Sequence, residues 1–274
     1  MTYLMDRPWP VLAVSLMTLW LSAWIGANAF ARSRAADEAA SAYYQIILGA
    51  TLGLLSLIIG FSFSMAISHF DQRKSFESAE ANAIRTAYLR ADLLPPAAGS
   101  SLRTQIGKYL EQRILFYEAT EQSDVVPINA RTDQLQADLW STVRAAGTSI
   151  PLIVVAVNDM LNARSSAEAS WANRISLEAW TLMAVIAICG NTLVGYGARK
   201  FSPKTIPILI LPPVFIISIS LYLIDDIDSP RAGLIAVGPE NLRVLADSLS
   251  DRSHPLVPDA RLSTTALPTG TARP

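Results

Sequence analysis

Charge and sulfur are what this chain has least of. Charged residues occupy 16% of its 274 positions, against about a quarter in ordinary soluble domains. A single cysteine, Cys189, excludes an intrachain disulfide and a thiolate metal cage. It sits in an apolar run and reads as a small packed hydrophobe. The net charge of −1 exerts no pull toward nucleic acid. The Gly-rich phosphate loop, the dinucleotide fingerprint, the nucleophile elbow and the paired-histidine zinc helix are all missing. No charge interrupts the long apolar stretches, so a proton relay, a voltage sensor and an intramembrane hydrolase lack the groups they need. These absences read as a protein that is not an enzyme.

What is present is hydrophobicity, at 51% of residues, gathered into four blocks. No charge falls between Arg7 and Arg32, Glu38 and Asp71, Glu178 and Arg199, or Lys204 and Asp225. A helix needs about 20 apolar residues to cross the hydrocarbon core, and backbone in lipid must bond to itself, so these blocks predict helices. We place them at about 9–29, 44–68, 176–197 and 205–224. Trp9, Tyr43, Tyr44, Trp180, Tyr196 and Tyr222 near their ends suit an interfacial belt. The first block has a second reading, because Ala27-Asn28-Ala29 resembles a signal-peptide cleavage site. Against it, the apolar stretch is long for a signal peptide and Asp6 precedes it.

An even number of spans puts both termini and the middle region on one side. The basic residues flanking the spans on that side outnumber those in the two short loops opposite, although the latter are denser. By number, the positive-inside rule places the middle region and both termini in the cytoplasm of a multi-pass cell-membrane protein. The division expected is spans one and two in 1–69, a helical cytoplasmic region in 70–172, spans three and four in 173–226, a C-terminal strap in 227–245 and a disordered tail in 246–274.

The middle region reads as helical throughout. Asp71 to Leu94 has neither Gly nor Pro, and Pro95-Pro96 stops it. Helices are predicted at about 101–122 and 132–146, separated by a loop holding Pro127. Pro151 opens a helix that is expected to run unbroken into the third span, as the second span runs into the Asp71 helix. Ala79, Ala83 and Ala87 recur every four residues. That small-residue stripe serves either packing within one subunit or contact between subunits. Gly49 and Gly53 form a G-x-x-x-G pair, a close-packing spacing in lipid. His69, at the end of the second span, is an interfacial polar tip or a pH-sensitive group. Pro212 and Pro213 are expected to bend or break the fourth span. Asp225, Asp226 and Asp228 after it are either a solvated helix end or oxygen ligands for a cation such as calcium.

Two segments carry a family likeness. The run Gly60-Phe61-Ser62-Phe63-Ser64-Met65-Ala66-Ile67-Ser68-His69-Phe70-Asp71-Gln72-Arg73 and the run Glu80 to Pro95, joined by Asp228-Ser229-Pro230-Arg231-Ala232-Gly233-Leu234-Ile235, resemble the bestrophin-like family of bacterial membrane proteins. That family is similar to the bestrophins, homopentameric ion channels with four spans per subunit. The resemblance implies an all-α membrane protein whose second and third spans extend into a helical cytoplasmic region. It implies a homo-oligomer in the lipid bilayer, passing small inorganic ions through a pore lined by the second helix at Ile58, Phe61, Ser62 and Met65. It further implies calcium held by Asp225, Asp226 and Asp228, which occupy a place comparable to the acidic stretch of bestrophins. The alternative is a non-conducting membrane scaffold or sensor whose helical region binds a partner protein. A third reading is an amphiphile-binding groove beside Pro212.

Overall fold

A computed structural model describes residues 8–29, 38–145, 151–198, 201–202, 205–231 and 233–253. The described chain forms eight α-helices and one short 3-10 turn: α1 (Pro8–Ala29), α2 (Glu38–Arg90), the turn Ala91–Leu93, α3 (Pro96–Glu118), α4 (Gln122–Ala145), α5 (Pro151–Ala172), α6 (Leu177–Ala198), α7 (Ile206–Asp228) and α8 (Glu240–Ser253). No strand occurs among the described residues. Four candidate membrane spans are long and apolar enough to cross a bilayer, at the four blocks read from the sequence.

Those four segments form one bundle. The closest crossing is that of α1 with α6, where Gly26 lies against the main chain of Thr192 and Gly195 against that of Ala23. Without side chains at these points the two backbones approach each other directly, the means by which helices associate in lipid. The inner residues include Leu19, Ala23, Leu55, Met183, Val214 and Ile224, while many large apolar side chains point outward. Cys189 is among the exposed residues, so it is not packed inside the subunit as its apolar setting suggested. A membrane helix is apolar on its lipid face too, and hydropathy does not separate the two.

The C-terminal half of α2 leaves this bundle and joins α3, α4, α5 and α8 around a second core that includes Ile84, Ile106, Tyr109, Leu139, Met160 and Leu242. Phe70 packs against both cores and sits where they meet.

Three local expectations are corrected. First, α5 and α6 are not one helix, because residues 173–176 are non-helical between them. Second, Pro127 lies inside α4 rather than in a loop. It is the sixth residue of the helix, past the four N–H groups that lack a partner, so one main-chain bond is forgone near the N-terminus while the helix runs on. Third, the tail expected to be disordered from 246 begins as the end of α8, whose Leu242, Leu245 and Leu249 are buried. Their spacing is helical, but the surrounding Ser, Asp and Arg residues hide it in composition. Residues 254–274, with His254, lie outside the described residues. Pro212 and Pro213 lie inside α7, which continues past them to Asp228.

Candidate pore helix and the joint at its base

The second helix is 53 residues long and unbroken. One side of it packs on α5, α6 and α7; the other is exposed among the described residues. Phe61 is 65% exposed and Met65 48% exposed. Ser62 is only 6% exposed, and Ile58 packs against the membrane core. The four residues implied by family likeness therefore divide into an outward pair and an inward pair. Leu57, one turn before Phe61 and not singled out in the sequence, is also exposed. Its spacing of four from Phe61 was the available signal.

The glycines divide in the same way. A side chain at Gly49, Gly53 or Gly60 would meet nothing within 4 Å, whereas one at Gly26 or Gly195 would strike backbone. Ala87 is buried in the extramembrane core, Ala83 packs against that core and Ala79 is exposed. The alanine stripe is thus spent inside the subunit at its far end and open at its near end.

A joint of buried polar groups holds the helix where it leaves the membrane bundle. The guanidinium of Arg73 donates from Nη2 to the carbonyls of Asn173 and Asp228, at 2.9 Å each. Its Nε and Nη1 reach Ser170 O and Ile227 O at 3.4 Å. Asp228 Oδ2 accepts from the Ile175 N–H at 2.9 Å, and Nδ1 of His69 donates to Oδ1 at 3.0 Å. The break between α5 and α6 is therefore stabilised by Arg73 and Asp228, which take up backbone groups that a continuous helix would have satisfied itself. Buried backbone groups left without partners are costly, so the break and these two side chains belong together.

The other acidic residues are also engaged. Asp226 accepts the N–H of Leu234 at 2.8 Å and of Ile235 at 3.2 Å, folding the strap back on the end of α7. Asp225, Asp226 and Asp228 are all buried. Among the described residues no group of three His, Cys, Asp or Glu side chains is placed to hold a metal ion. Two of the three carboxylates are occupied by main-chain amides and hold the fold together at this point.

Below the joint, Glu80 of α2 is fully buried and ion-paired with Arg113 of α3. Tyr117 donates to Glu80 Oε2 at 3.1 Å, and Arg113 Nη1 to Glu168 of α5 at 2.8 Å. Arg164 donates to Glu168 and to Asp133 of α4, at 2.7 Å each. Burial opposes the charge on Arg113, but the adjacent Glu80 outweighs it and holds the pKa above the ordinary arginine value. Burial, with Glu80 beside it, raises that of Tyr117. Arg231 of the strap stacks on Phe116 and Trp171 at 4.7 and 4.3 Å. It donates to the carbonyls of Phe116 and Ala119. Burial and repulsion from Arg113 push it down to about 10, still charged at neutral pH.

Glu77, three residues before Glu80, is the other buried carboxylate on α2. It accepts the Leu242 N–H at 3.0 Å and the Asn241 side-chain amide at 2.5 Å, so it caps the N-terminus of α8, where negative charge is favoured. Glu77→Ala leaves these donors unpaired, at a cost of about 1–3 kcal/mol. Hydrogen exchange at Leu242 should accelerate accordingly, while exchange within α1 should not change.

The geometry places an unbroken, half-free membrane helix on a rigid extramembrane base. Residues 13–242 match the family model for the Bestrophin-like domain. The chain belongs to the bestrophin-like family. No curated protein and no solved structure matches it. The match spans the first helix to the start of α8, so in this bestrophin-like protein the joint and the buried ion-pair network both lie inside the family domain. A groove of about 570 Å³ between α2 and α7, lined by Leu52, Ile59, Phe63, Pro213, Ile217 and Leu223 among others, also lies within it.

Proposed function

We propose that the protein assembles as a homo-oligomer, a pentamer by its likeness to the bestrophins, and passes small ions through a pore lined by α2. The observation that carries this reading is the free face of α2. A helix whose apolar residues face lipid needs no particular order along its length. This face instead changes from Leu57 and Phe61 to the hydroxyls of Ser64 and Ser68, all exposed. Copies of such a face brought around an axis make a short apolar constriction above a polar lining. Hydrophobic rings of this kind gate by dewetting. We assign the constriction to Phe61 and Met65 with Leu57 a turn before them; Ile58 and Ser62 support the helix from inside the subunit. Gly49, Gly53 and Ala79 border the free face and are assigned to contact between copies. The extramembrane bundle and both termini lie in the cytoplasm in this reading.

The test is ion flux from proteoliposomes loaded with purified protein, comparing wild type with Phe61→Ala and Met65→Ala. Wild type is expected to release ions, and each substitution to raise flux several-fold by widening the constriction. If folded, inserted protein releases neither anions nor cations, the pore reading fails. The extramembrane bundle then becomes the docking site of a membrane scaffold.

A further inference from the structure

The free face of α2 has a regular composition beyond the constriction. Helices that wind around a common axis turn one seam toward it, at positions spaced alternately by four and three residues. Starting from Leu57 and Phe61, this spacing gives Ser64, Ser68, Asp71, Ser75, Ser78 and Asn82. All of these are exposed except Ser78, which is half-exposed. The seam is apolar, then hydroxyl-bearing, then carries one carboxylate. No described residue forms an ion pair with Asp71. This sets it apart from the neighbouring acids of the same region. Glu77, Glu80, Asp226 and Asp228 are each held by a donor.

We propose that Asp71 makes the conduction path selective for cations; this rests on the pore reading above. Each copy contributes one carboxylate to a ring about 15 Å below Phe61, at 1.5 Å per residue. Like charges lining a confined path raise the local counter-ion concentration by about ten-fold or more. The nearby positive charges do not cancel it. Arg73 is buried and bonded to four carbonyls, and Lys74, exposed one helical turn from Asp71, flanks the seam and offsets the carboxylate from the side without occupying the path. Arg85 does fall on the seam, about 21 Å further along, beyond the roughly 8 Å over which charge is felt at physiological salt. An ion leaving the constriction meets the carboxylate first.

The experiment is the reversal potential of reconstituted protein under a potassium chloride gradient. Wild type is expected to reverse on the potassium side. Asp71→Asn should reduce the cation-to-anion permeability ratio by about ten-fold, and Asp71→Lys should invert it. Lys74→Gln, which removes the positive charge flanking Asp71, should move the ratio further toward cations, the opposite direction from Asp71→Asn. Oligomer size by gel filtration accompanies each variant. If Asp71→Lys does not assemble, Asp71→Asn and Asp71→Ser decide the matter. Current with an unchanged ratio in the Asp71 variants overturns the assignment of Asp71 and leaves the pore standing. An absence of wild-type current overturns both.

Discussion

Arg113→Ala is expected to lower stability by about 3–5 kcal/mol, the cost of leaving a buried charge without its partner. In the native fold Glu80 has no exposure to water and Arg113 none either. The pair is bidentate, with a second contact from Arg113 Nη2 to Glu80 Oε2 at 3.3 Å. Arg113 also stacks on Phe116 at 4.3 Å. Alanine removes the counter-charge and the stacked surface together, and Tyr117 alone cannot neutralise the carboxylate. For a protein of this size the loss corresponds to a fall in melting midpoint on the order of 10 °C. Replacing both members with methionine should cost less than Arg113→Ala alone, because no charge is then stranded. That inversion, with the double variant more stable than the single, is the sharper check. A single variant melting within about 1 kcal/mol of wild type would mean that Glu80 reaches water. Because Glu80 lies on α2, Arg113 on α3 and Glu168 on α5, the same loss should loosen the base on which α2 stands.

The second large effect is expected at Gly195. A side chain there collides with the main chain of Ala23, and backbone cannot turn aside as the end of a flexible side chain can. Gly195→Leu should therefore force α1 away from α6. Overpacking costs about 1–3 kcal/mol where neighbours can shift, and more where they cannot. The expected readout is faster proteolysis of α1 in detergent and a lower melting midpoint. Gly53→Leu adds the same side chain where nothing stands within 4 Å. It should leave the subunit's own melting unchanged and act only on the size of the assembly. Equal loss of melting temperature in both would show that Gly53 is packed within its own subunit, contrary to the free face described above. An unchanged Gly195→Leu would mean that α1 does not pack on α6.

The sequence by itself determined the number and place of the membrane helices. Twenty apolar residues without charge have one solution in lipid, so the four blocks could be read directly. It also determined the helical character of the region between spans two and three, since Asp71–Leu94 holds neither Gly nor Pro and Pro95-Pro96 closes that run. The family likeness at Gly60–Arg73 pointed to α2 as the helix that matters. Which side of that helix is free could not be read, because hydropathy in a span is the same toward lipid, toward a neighbour and toward the core. Only the packing of α5, α6 and α7 turned Ser62 and Ile58 inward and left Phe61, Met65 and Leu57 outward. The acidic run after α7 was equally ambiguous, since a carboxylate that binds a cation and one that caps an amide have the same letter. Tertiary structure brought the Ile175 amide and His69 to Asp228, and the Leu234 and Ile235 amides to Asp226. The break between α5 and α6 was invisible for the same reason. Nothing in Asn173-Arg174-Ile175-Ser176 forbids a helix; the partners that make the break affordable come from Arg73 and Asp228, 100 and 53 residues away along the chain.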